Sequence, residues 1–138
     1  AKKELRSVFL LGWVMDTAGH IWVDRKNTDS ALKSLQRAKE SLMRIPRSIL
    51  LFPEGTRTRS GLLAPFKPGG LLISVDTNMP IVPIAFVGTF EKLKPESWSM
   101  DNNPVELRIG KPISSKGYSV ETRRELANYV RDQVKKLQ

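Results

Sequence analysis

The sequence contains no cysteine and a single histidine, His20. The first absence removes disulfides, thiol nucleophiles and thiolate metal sites. Together with the lone histidine it leaves no ligand set suited to zinc. The redox compartment is unread, although a reducing one is compatible. Aromatic residues are only 7% of the chain, with no stacking pattern of the kind RNA-binding domains use. Long hydrophobic runs are missing too. The longest apolar-rich stretch, Val8 to Val14, falls far short of the roughly 20 residues a membrane span needs. No cleavage-site pattern follows Ala1-Lys2-Lys3, so no signal peptide is read. The chain begins without Met, as a fragment or a processed chain would. Internal repeats, low-complexity tracts and linkers are likewise not found.

What is present is positive charge: 23 basic against 14 acidic residues, a net +9. Such an excess implies an anionic partner, which composition alone leaves as nucleic acid, phospholipid head groups or a phosphorylated small molecule. Dispersal of the basic residues along the chain weighs against nucleic acid. With 138 residues, 40% of them hydrophobic, one domain over 1–138 with a real core is expected.

Hydrophobic spacing predicts the elements. Residues 4–18 read as a short helix with Leu5, Val8, Phe9, Leu11, Gly12 and Met15 on its apolar face, closed by Gly19. The β-rich "HIWVD" (20–24) reads as a strand. Asp29 or Ser30 can cap a helix running to Met43, with Leu32, Leu35, Ala38 and Leu42 aligned and Pro46 ending it. "RSILLF" (47–52) has the continuous apolar character of a strand buried on both faces of a parallel sheet. A long loop (53–68) follows, and "GGLLISVDT" opens the next helix. "PIVPIAFV" (80–87) reads as a strand whose Pro83 lacks a ladder N–H and marks an edge or a bulge. Residues 91–104 read as loop, 105–113 as an alternating strand, and 119–137 as an amphipathic helix with Leu126, Val130, Val134 and Leu137 inward. Strands alternating with helices predict an α/β fold: a mostly parallel central sheet flanked by helices.

The loop after the second predicted strand carries the chemistry. "LFPEGTR" (51–57) places a proline, a carboxylate, a glycine and an arginine at the carboxyl end of that strand, where open α/β sheets bind ligands. Gly55 permits close backbone approach or a positive φ. Arg57 offers a planar fork of donors suited to phosphate or carboxylate. Glu54 can accept from a hydroxyl or hold Arg57 in place. A loop tied only by a Glu54–Arg57 pair is the plainer alternative.

The literal order "FPEGTR" is similar to a signature of the glycerolipid acyltransferases, and the whole chain resembles the 1-acylglycerol-3-phosphate acyltransferases of the PlsC type. "AGHIWVDR" (18–25) resembles their second block and "PIVPIAF" (80–86) their fourth; "AKKEL", "PFKPGG" and "IGKPI" are also family-like. The resemblance implies transfer of an acyl group from acyl-CoA or acyl carrier protein to the free hydroxyl of a lysophosphatidate, with no further cofactor. It implies Arg57 on the acceptor phosphate, Thr56 beside it, and Glu54 and Gly55 in supporting roles. Arg25 and Lys2 stand where further basic contributors would sit. A strand-end ion pair for Arg25 and a solvated terminal position for Lys2 are the alternatives. A lipid acceptor implies a membrane surface as partner, at the cytoplasmic face. Phe9, Leu10, Leu11 and Trp13 with Lys2, Lys3 and Arg6 could meet that surface, while Val8, Leu11 and Met15 also suit packing against the sheet.

One part of the family pattern has no match. The reaction needs a base for the acceptor hydroxyl, which in the family is the His of a His-x4-Asp block, and no such block occurs in these residues. His20 and Asp24 are spaced His-x3-Asp on a predicted strand, where four residues span about 13 Å, too far for one side chain to orient the other. The family's base is therefore expected upstream of Ala1, with this chain a C-terminal part. Two other readings stay open: a non-catalytic phosphate- or lipid-binding module, and a family member with another acceptor, such as glycerol 3-phosphate or another lysolipid.

Overall fold

The computed structural model describes residues 9–18, 28–44, 48–92 and 102–138. The chain divides into two compact units, residues 1–48 and 49–138.

In the first unit, α1 (Phe9–Thr17) and α2 (Thr28–Arg44) form where apolar spacing places them. Ala38 and Leu42, one turn apart on α2, are buried, as their i, i+4 spacing requires. The strand expected over 20–24 lies outside the described residues.

The second unit carries the loop. Its elements are a 3-10 helix (Pro68–Leu71) running into α3 (Leu72–Thr77), then β1 (Ile84–Val87), α4 (Thr89–Lys92), β2 (Glu106–Ile109) and α5 (Arg123–Lys135). The core gathers Phe66, Leu71, Ala85, Ile113, Leu126, Ala127, Val130 and Val134, with Leu63, Val75, Ile81, Tyr118 and Leu137 packed against it. Leu126, Val130 and Val134 recur every four residues, which lays one stripe of α5 onto this cluster; Leu126 is fully enclosed. Ser115 donates to the Ser74 carbonyl (2.8 Å). The Ser74 hydroxyl in turn donates to the Met79 carbonyl. Both buried serines are thereby satisfied, as burial demands.

Two expectations about the sheet are not met among the described residues. β1 and β2 pair antiparallel, with Ile84 opposite Ile109 and Val87 opposite Glu106, so the described sheet is not parallel. A parallel pair needs a crossover, usually a helix of a dozen residues or more. The described part of the connection between these strands holds only the single turn of α4. Secondly, residues 48–52 pair with no strand among the described residues. Leu50 and Phe52 are each 65% exposed, unlike a strand buried on both faces. An apolar run records hydrophobicity but names no ladder partner. The α/β class holds. So does the irregularity at Pro83. Three steps separate Ile81 from Ile84 on one strand, and four separate Ile109 from Ile113 on the other. That extra residue is a bulge, and the Pro83 carbonyl accepts from Gly110 N–H across it (2.9 Å).

Candidate active-site loop

The loop begins with a tight turn. Gly55 N–H donates to the Phe52 carbonyl (3.1 Å), closing a four-residue turn with Pro53 at its second position, which the fixed proline φ favours. Glu54 has no positive φ, so the turn is not of the type that needs glycine third. Gly55 itself takes φ +74, the left-handed region that a side chain disfavours. The chain reverses here.

Three contacts hold the rest of the loop. Lys67 N–H donates to the Pro53 carbonyl (2.8 Å), joining the two ends. The Glu54 carboxylate accepts from Ala64 N–H (2.8 Å), tying the turn to the loop's far limb. Arg131 of α5 donates to the carbonyls of Leu63 (2.8 Å) and Ala64 (3.1 Å). Beyond Lys67, a Cβ on Gly70 would come within 2.9 Å of the Leu51 side chain, so glycine lets the 3-10 helix approach the segment leading into the turn. The loop is thus fixed at its base and along its far limb.

Glu54 is therefore bonded to the loop's own backbone. Among the described residues, the Glu54–Arg57 ion pair that would make a merely tied loop does not form. Arg57 and Thr56 are exposed. Among the described residues the Arg57 guanidinium has neither a hydrogen-bond nor an ion-pair partner. A fork of donors on a braced turn can accept a phosphate without breaking a prior bond. Arg25, Lys2 and His20 lie outside the described residues, so only Glu54, Gly55, Thr56 and Arg57 are seen together.

The structure adds two residues that the sequence reading gave no role. Lys67 lies over Gly55: a Cβ built there would sit 3.2 Å from its Cδ, Cε and Nζ atoms. Its position in "PFKPGG", part of the family-like pattern, was the available signal. Arg131 had none, because an arginine on an amphipathic helix reads as solvated. Among the described residues no helix is long and apolar enough to cross a membrane.

Comparison with known proteins agrees with this architecture. The family model described as Acyltransferase matches residues 1–87. The chain belongs to the acyltransferase family. It is 33% identical over 136 residues to a 1-acyl-sn-glycerol-3-phosphate acyltransferase of Saccharomyces cerevisiae, covering 97% of this chain and 45% of that one. A Haemophilus influenzae protein of the same name is 33% identical over 135 residues, covering 98% of this chain and 55% of that one. The crystal structure of the LPA acyltransferase PlsC from Thermotoga maritima superposes with a TM-score of 0.78 at 29% identity, over 99% of this chain and 55% of that one. The chain spans about half the length of the curated relatives it matches.

Proposed function

We propose that this chain is the acceptor-binding part of an acyltransferase that converts 1-acylglycerol 3-phosphate to phosphatidate. One observation carries the reading. The carboxylate of the signature turn is engaged by Ala64 N–H, while the Arg57 guanidinium has no partner among the described residues. The turn therefore presents one cation and no competing anion to the acceptor's phosphate. The names of the relatives support lysophosphatidate as that acceptor.

In the proposed reaction the acceptor's free hydroxyl oxygen attacks the carbonyl carbon of an acyl thioester. A C–O bond forms and the C–S bond breaks. The hydroxyl proton goes to a base, and the departing thiolate takes up a proton as a free thiol. Arg57 holds the phosphate, Glu54 and Gly55 fix the turn that carries it, and Arg25, Lys2 and Thr56 add to the polar surround. Holding the acceptor at one end converts an encounter into a positioned attack, which lowers the barrier without any bond-making by the loop. The base is the histidine of a His-x4-Asp block, which these residues do not contain; His20 does not take that role. The donor is acyl-CoA or acyl carrier protein, and the acceptor is met at the cytoplasmic face of a membrane.

The test is the reaction itself. The whole protein, given an acyl-CoA and lysophosphatidate in mixed micelles, is expected to release thiol and form phosphatidate in equal amounts. Thiol release with no phosphatidate formed would overturn the proposal.

A further inference from the structure

We propose that Lys67 is a second cation of the acceptor-phosphate site, its ammonium seated over Gly55 so that it and Arg57 meet the same phosphate. The proposal rests on the assignment of the phosphate to Arg57 and extends it to a residue on the opposite end of the loop.

The argument starts from the missing side chain at position 55. The space a Cβ would need lies 3.2 Å from the Lys67 Cδ, Cε and Nζ atoms, so the lysine stem runs across the glycine. The backbone at Lys67 is anchored by its N–H on the Pro53 carbonyl (2.8 Å), and Pro68 follows it, restricting its conformation to the extended region. Consistent with that restriction, Lys67 has φ −76 and ψ 120. The ammonium is thus delivered to the turn by a fixed backbone. Among the described residues it has no hydrogen-bond or ion-pair partner, and Glu54, the carboxylate next to Gly55 in the turn, is engaged by Ala64 N–H.

Arg57 is two residues beyond Gly55. At about 3.8 Å between consecutive Cα atoms, its Cα lies within roughly 7.6 Å of the glycine's. A guanidinium on a flexible stem covers that span, so one phosphate can touch both cations. Their geometries are complementary. The arginine supplies a planar fork that fixes orientation, and the lysine supplies a compact charge with three donors. A phosphate monoester carries up to two negative charges, which a single guanidinium does not neutralise.

The experiment measures KM and kcat of the whole protein for lysophosphatidate and, separately, for monoacylglycerol, which lacks the phosphate. The proteins compared are wild type, Lys67→Gln, Lys67→Arg and Arg57→Gln, with thermal midpoints checked throughout. Lys67→Gln is expected to raise KM for lysophosphatidate roughly tenfold, the loss of one charge-assisted contact. Its kcat should be little changed and its use of monoacylglycerol unchanged. Lys67→Arg should restore most of the affinity. A Lys67→Gln protein with unaltered KM, beside an Arg57→Gln protein with raised KM, overturns the role of Lys67 and leaves Arg57 in place. If neither substitution moves KM, the assignment of the phosphate to this loop fails with it. If Lys67→Gln weakens both acceptors equally, or lowers the thermal midpoint in step with KM, Lys67 is structural and the proposal is overturned. Should Lys67→Gln misfold, Lys67→Met is measured in the same way and judged by the same outcomes.

Discussion

At the scale of residues, two side-chain positions decide whether the turn presents Arg57. Gly55 holds φ +74 and leaves room for Lys67. Gly55→Ala should cost roughly 1–2 kcal/mol from the left-handed backbone alone, and its methyl should push the lysine stem aside. The expected result is a lower unfolding midpoint together with a raised KM for the acceptor, read by calorimetry and by initial rates. Glu54 makes a different prediction, because its carboxylate bonds to the loop's backbone. Glu54→Gln keeps an acceptor oxygen for Ala64 N–H and should retain much of the activity, whereas Glu54→Ala should lose most of it. Equal losses in the two variants would mean that the charge, rather than the bond to Ala64, is what the enzyme uses.

At the scale of elements, α5 contributes the core stripe on one face and Arg131 on its flank. Leu126 is fully enclosed, so Leu126→Ala should destabilise the protein by about 2–5 kcal/mol in denaturant titration. Arg131→Ala strips two donors from the Leu63 and Ala64 carbonyls. It should reduce kcat/KM with a smaller effect on the midpoint, because the loop rather than the core loses its brace. Lys at that position should recover only part of the rate, since one ammonium lacks the fork that spans two carbonyls. The longer helices were legible in the sequence, whereas the single turn of α4 was not. Leu126, Val130 and Val134 mark the face of α5, and Ala38 and Leu42 that of α2, because helical periodicity is local. The sheet was less so. Ile84 pairs with Ile109 through contacts distant in sequence, and neither the antiparallel sense nor the lack of a partner for 48–52 among the described residues leaves a local mark. The turn at Pro53-Glu54-Gly55 was legible from its residue types. Its bracing by Arg131 was not, because nothing near position 131 announces a bond to a loop so far back in the chain.

At the scale of the whole molecule, the account divides the work between gripping the acceptor and taking its proton. These 138 residues contain the loop proposed to hold the phosphate but no His-x4-Asp block. The chain on its own is therefore expected to show no acyl transfer above background. General-base assistance is worth on the order of 10²–10⁴ in rate, so the deficit should be plain in a thiol-release assay. His20→Ala in the whole protein should leave most of the rate intact; loss of turnover in that variant would make His20 the base. The central claim, that Arg57 reads the phosphate of the acceptor, is tested most directly by one ratio. This is kcat/KM for lysophosphatidate over kcat/KM for monoacylglycerol, measured in wild type and in Arg57→Lys. The substitution keeps the charge and removes the bidentate fork, so the ratio should fall by roughly tenfold or more while monoacylglycerol turnover is unchanged. A ratio identical in the two proteins would contradict the account.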